Sequence, residues 1–282
     1  MKKIFLMLLL ILTSQSWAQL QAIKGKTSYN FWLQLPEKEV LNNKPAVIIF
    51  LHGKSLSGTD LKKVKRYGVL RAVEKGRKIP AIIVAPQLPS GPWNPEKVAK
   101  ILDYVQKKYD TDKNRVYVMG MSLGSYGTMD VVGTMPDRIA GAVSICGGGT
   151  VKLASNIAKV PVWVLHGNAD RAVPMSESKK IVDAVKKANP KAPIKLTIIK
   201  GGTHGSVENL FHKDETYAWL FKQNKNNPDL EAEKVFGPET ELADEFVDIT
   251  EEVNAPKVEL KEVEKTPNTE EKEINAEFKF VE

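Results

Sequence analysis

Cysteine is nearly absent from this sequence, which has one, Cys146, in 282 residues. A single thiol cannot form an internal disulfide, so the chain is not a disulfide scaffold. Cys146 ends the apolar run of residues 139–145, a position that predicts burial as a packing residue rather than a reactive thiol. The chain must therefore rely on an apolar core, which its length and 42% hydrophobic content allow.

Signatures of cofactor chemistry are also missing. No pair of Cys or His residues has the spacing of a metal site, and neither a phosphate loop nor a dinucleotide-binding fingerprint occurs. The glycines at 147–149 do not open a strand–helix unit with that fingerprint's spacing. We therefore predict no metal and no cofactor, which leaves the chemistry to side chains.

No segment after the first eighteen residues is apolar for long enough to cross a membrane. Residues 1–18 combine a basic start, an apolar stretch over residues 4–13 and the small-x-small ending Ser16-Trp17-Ala18. This pattern is typical of a secretory signal peptide cleaved after Ala18, with a retained membrane anchor as the alternative. Because no cysteine follows that cut to carry a lipid, we predict export to the periplasm or the medium without a stable membrane anchor.

Acidic residues are scarce in the first 224 residues and concentrated after them. Residues 225–282 hold 18 Asp and Glu against 7 Lys and Arg, and residues 1–224 hold 16 against 34. The acidic part lacks the apolar content that would offset the entropy of ordering. We predict a mostly disordered acidic tail at 225–282, which contacts the basic body or an unknown partner, and one domain at 19–224. The basic excess predicts attraction for polyanions such as uronate-bearing glycans or an anionic membrane face, or else a plain solvated surface. We predict no nucleic-acid partner.

Apolar runs alternate with amphipathic segments between residues 29 and 222. The continuous runs are typical of strands buried on both faces, and Tyr29–Leu35 alternates like an early antiparallel strand. Helices are predicted to begin at Pro95 after the capping residue Asn94, and after caps at Ser176 and Asp214. The order predicts an α/β fold with a mostly parallel central sheet and helices on both faces. The gap from Gly149 to Pro161 is too brief for a large lid. The predicted buried strands are Ala46–Leu51, Ala81–Ala85, Val116–Met119, Ile139–Ile145, Val162–Leu165 and Ile194–Ile199.

The motif Gly120-Met121-Ser122-Leu123-Gly124 joins one of these strands to a helix predicted over Leu123–Met135. In that setting Gly-x-Ser-x-Gly predicts a nucleophile elbow, a sharp turn that presents the serine hydroxyl at the end of the sheet. Ser122 is therefore the candidate nucleophile.

A serine nucleophile needs a base and a group that orients the base. His204 is the favoured base, because it lies in a glycine-rich loop after the last strand. His52 and His166 each follow an apolar run and precede a glycine, where an imidazole commonly holds the backbone, and His212 is predicted to be solvated. Asp170 follows another strand by a short loop and is the favoured acid, with a turn residue or a partner of Arg171 as the alternative. The other acids, Asp130, Asp137 and Asp183, lie in or beside predicted helices.

The oxyanion of an acyl-transfer transition state needs backbone donors. The N–H of Leu123, the residue after the nucleophile, supplies one, and we predict that the N–H of Lys54 supplies the second. Gly53 permits the close approach of that loop. His52, Gly53 and Trp93 are candidate substrate contacts, with Trp93 either stacking on a sugar or aryl ring or packing in the core.

Four motifs together resemble a known family: Leu51-His52-Gly53, the elbow around Ser122, the segment from His166 through Asp170 to Pro174, and Thr203-His204-Gly205. They are similar to α/β-hydrolases of the dienelactone hydrolase, carboxylesterase, polyhydroxybutyrate depolymerase and feruloyl esterase group. The resemblance implies a serine carboxylesterase with the triad Ser122, Asp170 and His204, acting on ester decorations of polysaccharides or on small soluble esters. A serine peptidase related to prolyl oligopeptidase, or a non-catalytic binding protein on the same fold, is the alternative.

Overall fold

An eight-stranded sheet forms the centre of the structure, a computed structural model that describes residues 19–226. The spatial order is β1-β2-β4-β3-β5-β6-β7-β8. β1 and β2 are antiparallel to their neighbours, and the pairings from β4 to β8 are parallel, which confirms the predicted α/β class. The strands are β1 Leu20–Ile23, β2 Phe31–Gln34, β3 Ala46–Leu51, β4 Ala81–Pro86, β5 Val116–Met121, β6 Gly141–Ile145, β7 Val162–Gly167 and β8 Ile194–Ile199.

Helices cover both faces of this sheet. The α-helices are α1 Lys38–Leu41, α2 Val69–Glu74, α3 Pro95–Lys108, α4 Leu123–Thr134, α5 Ala154–Ile157, α6 Met175–Ala188 and α7 Asp214–Lys222. Short 3₁₀ helices occupy Lys54–Leu56, Leu61–Lys65, Pro136–Arg138, Val151–Leu153 and Ser206–His212.

Two apolar cores lie on opposite faces of the sheet, because successive side chains of a strand point to opposite faces. In β3, Val47, Ile49 and Leu51 pack on the side of α3, α4 and α6, whereas Ile48 and Phe50 pack on the side of α2 and α7. Every residue of β3 is completely buried, as its continuous apolar run predicts. This arrangement holds the carboxyl ends of β3, β5, β7 and β8 at one edge.

Some boundaries differ from the predictions. The strand β1 was not predicted, and α6 begins at Met175 after Pro174, so Ser176 is not its N-cap. The residue before α7 is Lys213, and Asp214 is the first helical residue, where its carboxylate pairs with Arg77. Asn94 does cap α3, since its side chain accepts the N–H of Lys97 at 2.9 Å.

Two predicted segments lie outside the described residues: the signal peptide at 1–18 and the acidic tail beyond residue 226. The predicted domain boundary at 224 falls two residues after the end of α7. Between residues 19 and 226 no helix has both the length and the apolarity needed to cross a bilayer.

Candidate active site

Ser122 lies at the junction of β5 and α4 in a backbone conformation that side-chain-bearing residues seldom adopt. Its φ is 58° and its ψ is −122°, the strained turn expected of a nucleophile elbow. A Cβ on Gly124 would collide with the carbonyl oxygen of Leu51, and one on Gly120 would collide with the carbonyl oxygen of Gly124. The two glycines therefore allow the helix to start directly against β3.

The elbow helix also packs closely on the neighbouring strand β6. Ser125 is completely buried, and its hydroxyl lies 2.5 Å from the hydroxyl of Ser144. A Cβ on Gly147 would meet the Ser125 side chain at 2.5 Å, so the glycine leaves space for the serine. The hydroxyl at position 125 is thus paired inside the core.

His204 and Asp170 form a hydrogen bond at the same edge of the sheet. The ring atom Nδ1 of His204 lies 2.7 Å from Oδ2 of Asp170, whose side chain is completely buried. The other oxygen of Asp170 accepts the N–H groups of Ala172 and Val173 at 2.8 and 2.9 Å. Burial alone would raise the pKa of Asp170, but these three bonds outweigh it and hold the pKa below its usual range. Asp170 is therefore a fixed anion that can orient the imidazole and stabilise its positive form.

Ser122 and His204 line one cleft of about 630 Å³. The structure thus brings the three predicted triad residues to one region, with Asp170 behind His204. The lining residues are Gly53, Lys54, Ser55, Arg66, Tyr67, Arg71, Lys75, Met121, Ser122, His204, Gly205 and Glu208. A second cavity of about 860 Å³, between β2, α1 and β4, is lined by none of the triad residues.

The predicted oxyanion donors lie on either side of the nucleophile. A Cβ on Gly53 would be 3.2 Å from the Ser122 Cβ, so the loop after β3 passes directly over the serine. The N–H of Gly53 is already donated to the Tyr67 hydroxyl. The N–H groups of Lys54 and Leu123 have no hydrogen-bond acceptor within residues 19–226. Both amides are available to a ligand.

The structure buries the side chains of His52 and Trp93, two of the predicted substrate contacts, and for Trp93 this favours the packing alternative. The His52 ring donates from Nδ1 to the Gly53 carbonyl at 2.7 Å and accepts the Leu88 N–H at Nε2 at 3.1 Å. Trp93 is 4% exposed and donates from its indole N–H to the His52 carbonyl at 3.1 Å. Through these bonds, the two side chains hold the loop after β3 that carries Gly53 and Lys54. Gly53 does line the cleft.

The remaining candidates lie away from the nucleophile or behind the triad. His166 is completely buried, with Nδ1 2.8 Å from the Ser178 hydroxyl and Nε2 3.0 Å from the Val173 carbonyl, and burial lowers its pKa. His212 lies 3.1 Å from Glu208. Asp130 accepts the N–H of Thr150, and Asp183 is exposed on α6. Nε2 of His166 lies 3.5 Å from Oδ2 of Asp170, the same oxygen that bonds His204.

Cys146 is packed beside the triad. Its Sγ, the Asp170 carboxylate and a ring nitrogen of His204 lie within 4.8 Å of one another. Burial raises the pKa of the thiol to about 12, so the thiol is neutral. A neutral thiol and an aspartate already bonded to histidine favour packing over metal binding.

Two polar residues of the cleft, Tyr67 and Glu208, were not among the sequence candidates. The Tyr67 hydroxyl accepts the Gly53 N–H at 2.8 Å, and burial raises the pKa of this phenol. Oε1 of Glu208 accepts the N–H of Gly68 at 3.1 Å, which ties the loop after His204 to the start of α2. No motif marks either residue, since the contacts join parts of the chain far apart in sequence.

The parallel sheet and the serine elbow define an α/β-hydrolase. Residues 92–218 match the model of the Dienelactone hydrolase family, which the motifs of the sequence also resemble. The elbow, Asp170 and His204 all fall within the matched residues.

Several proteins to which the chain is similar are esterases, and an acylaminoacyl peptidase of Pyrococcus horikoshii shares the fold at 17% identity and a TM-score of 0.56, covering 78% of this chain and 44% of its own. The bifunctional acetylxylan esterase/xylanase XynS20E of Neocallimastix patriciarum is 35% identical over 74 residues, 26% of this chain and 11% of that protein. A solved thermostable esterase is similar at 27% identity, with a TM-score of 0.60. The alignment covers 73% of this chain and 63% of the esterase chain. The feruloyl esterase module from Clostridium thermocellum has a TM-score of 0.56 at 16% identity and covers 72% of this chain and 88% of its own, which shows the shared fold. The chain thus spans less than two thirds of the thermostable esterase and a small part of the Neocallimastix patriciarum enzyme.

Proposed function

We propose that the protein is an exported serine hydrolase that cleaves carboxylic esters through an acyl-enzyme on Ser122. The observation that carries this proposal is the strained backbone of Ser122, φ 58°, in the same cleft as an imidazole bonded to a buried carboxylate. A serine hydroxyl becomes an effective nucleophile only beside such a base.

In the proposed mechanism, the Ser122 oxygen adds to the ester carbonyl while Nε2 of His204 takes the hydroxyl proton. The charge of the resulting imidazolium is stabilised by Asp170 across the 2.7 Å bond. The oxyanion receives the N–H groups of Lys54 and Leu123. His204 then returns the proton to the departing alcohol. In the second half of the reaction, His204 takes a proton from water, whose oxygen attacks the acyl carbon, and then gives that proton to the Ser122 oxygen as the free acid departs.

The proposed substrates are ester decorations of polysaccharides or small soluble esters. The cleft supports this assignment because it is open to solvent beside polar and charged side chains, whereas long acyl chains need an apolar cover. The segment between Gly149 and Pro161 adds only the 3₁₀ helix Val151–Leu153 and the four-residue α5.

A panel of acetyl, feruloyl and octanoyl esters tests this function, run on the full chain beside Ser122→Ala. We expect hydrolysis of the acetyl or feruloyl ester, loss of it in the variant, and labelling of Ser122 by a fluorophosphonate probe. An amide analogue of the best ester in the same panel tests the peptidase alternative. The proposal fails if no ester is hydrolysed above the Ser122→Ala level, or if octanoyl esters are strongly preferred.

Export is proposed from the pattern of residues 1–18, and the first described strand begins at Leu20, two residues after the predicted cut. Mass spectrometry of protein from the periplasmic or extracellular fraction should find Gln19 at the amino terminus. An intact Met1 there would contradict cleavage after Ala18.

The acidic tail is proposed to lie on the basic body or on a partner, because the two parts carry opposite net charge. Truncation after Asn226 removes nearly all of the tail and keeps the N–H of Lys225 bonded to the Asn114 carbonyl. If the tail contacts the body, the truncated protein will show a changed dependence of KM on salt. An unchanged salt dependence would contradict the contact with the body.

A further inference from the structure

One wall of the catalytic cleft is strongly basic. Lys54, Arg66, Arg71 and Lys75 line it, and Glu208 is the one acidic residue among the lining residues. Arg66, Arg71 and Lys75 come from a stretch of ten residues. Arg71 and Lys75 are four residues apart at the end of α2, a spacing that places both side chains on one face of the helix. The charge therefore faces the space in which a substrate of Ser122 must lie.

Most of this positive charge is not neutralised by neighbouring acids. Glu74 pairs with Arg71 at 3.3 Å and with Lys65 at 2.9 Å. Within the described part of the chain, residues 19–226, no carboxylate lies within 4.0 Å of the charged groups of Lys54, Arg66 or Lys75. The Glu208 carboxylate is already engaged by the N–H of Gly68 and by His212. An anion entering the cleft therefore meets three cations, Lys54, Arg66 and Lys75, that are paired with no acid of residues 19–226.

The basic wall is held at a fixed position relative to the nucleophile. Tyr67, directly after Arg66, bonds the Gly53 N–H, and Gly53 lies against Ser122. On its other side α2 is anchored by Val69 and Leu70, which are buried in the core. A group bound by the wall would therefore stand at a set distance from the ester carbonyl, which is the condition for a specificity pocket.

We propose that this wall is a subsite for a carboxylate, so that the protein prefers esters whose acyl or alcohol part carries one. A guanidinium matches a carboxylate with two parallel hydrogen bonds, and Arg66 has no competing acid within residues 19–226. This inference rests on the proposed esterase function and names its substrate class. Because the cations are exposed, the preference must weaken as salt rises.

Two pairs of substrates that differ only in charge test the proposal with the full chain. The first pair is 4-nitrophenyl hexanoate and mono-4-nitrophenyl adipate, with the carboxylate on the acyl part. The second is the 2-O-acetyl ester of methyl glucoside and that of methyl glucuronoside, with the carboxylate on the alcohol part. We expect kcat/KM of the charged member of at least one pair to exceed that of the neutral member by about tenfold at low salt, and the ratio to approach one in 1 M NaCl. If only one pair shows a preference for its charged member, that pair tells whether the basic wall contacts the acyl part or the alcohol part of the ester.

Charge-removing variants localise the effect. Arg66→Gln and the double variant Arg71→Gln, Lys75→Gln should each lower the charged-to-neutral ratio severalfold. The matched control is Lys107→Gln combined with Lys186→Gln, two exposed lysines on α3 and α6, which should leave the ratio unchanged. Thermal melting of each variant checks that the fold is intact.

The proposal is overturned if both pairs show a ratio of one or less in the wild-type protein, or if the control lowers the ratio as much as the cleft variants do. Failure of the esterase function has a different result, since then neither member of either pair is hydrolysed above the Ser122→Ala level.

Discussion

The hydroxyl oxygen of Tyr67 accepts the backbone N–H of Gly53 at 2.8 Å. This bond orients the loop that carries the candidate oxyanion donor Lys54, and it joins that loop to the segment bearing the basic wall. The carbonyl of Gly53 is held separately by the His52 ring. The loop is thus fixed from both sides before any substrate binds, which is the preorganisation that electrostatic stabilisation of an oxyanion requires.

Tyr67→Phe should lower kcat by about tenfold, because a lost hydrogen bond that leaves a buried N–H unpaired costs about 1.4 kcal/mol. KM for a neutral ester should change little, since the bond acts on the transition state through the loop. The variant Tyr109→Phe, on a half-buried tyrosine at the end of α3, is the control. An unchanged kcat in Tyr67→Phe would show that the loop keeps its position without this bond.

Asp170→Asn should reduce kcat by about 10³- to 10⁴-fold. The amide can present an N–H to Nδ1 of His204, which stabilises the tautomer that cannot take the serine proton. Asp183→Asn, an exposed aspartate on α6, should leave kcat unchanged. Steady-state kinetics on a soluble acetyl ester measure both, and equal activity of the two variants would exclude Asp170 from the triad.

Gly124→Ala should destabilise the fold by about 3 kcal/mol or more, because the new methyl group would overlap the Leu51 carbonyl and strain backbone on both sides. Gly205→Ala is a fair comparison, as nothing lies within 4 Å of the place its methyl group would take and its φ is −79°. Denaturant unfolding should show a lower midpoint in the first variant only. Equal midpoints would mean that α4 can shift away from β3.

Burial lowers the pKa of His52 to about 4, and its hydrogen bonds fit only the neutral ring. The unfolded chain takes up a proton near pH 6.5 and folded His52 does not, so stability falls as the pH drops from about 6.5 to about 4. The loss from this residue should approach about 3 kcal/mol. His166, whose pKa is also lowered, adds in the same direction. Urea titrations across this range should show a shallower pH dependence in His52→Gln, and an identical dependence would contradict the buried neutral state.

The Cys146 thiol should not react with an aromatic disulfide reagent in the native protein at about pH 8. It is completely buried, and burial raises its pKa to about 12, so almost no thiolate is present. One equivalent should react after unfolding in guanidinium chloride. Rapid reaction of the native protein would show that the interior behind the triad opens to solvent.

A strand could be predicted from sequence where it is buried on both faces, because such a strand is a continuous apolar run, as β3 and β4 are. β1 has four residues of mixed polarity, and it is a strand only because it pairs with β2 in the folded chain. Ser122, Asp170 and His204 could be selected as candidates because each lies shortly after a buried strand and carries a side chain suited to its predicted role. Trp93 could not be assigned from sequence, since its burial depends on the contact with His52 and on Gly127, whose missing side chain gives the indole room.

The family match begins at residue 92, whereas the loop at Gly53 and the basic wall through Lys75 precede it. The proposed substrate-selecting cations therefore belong to a different stretch of the chain from Ser122, Asp170 and His204. The same stretch also carries Gly53, Lys54 and Tyr67, which shape the candidate oxyanion site. A change of substrate preference that keeps the reaction intact must therefore replace the cations of residues 66–75 while Gly53, Lys54 and Tyr67 stay in place.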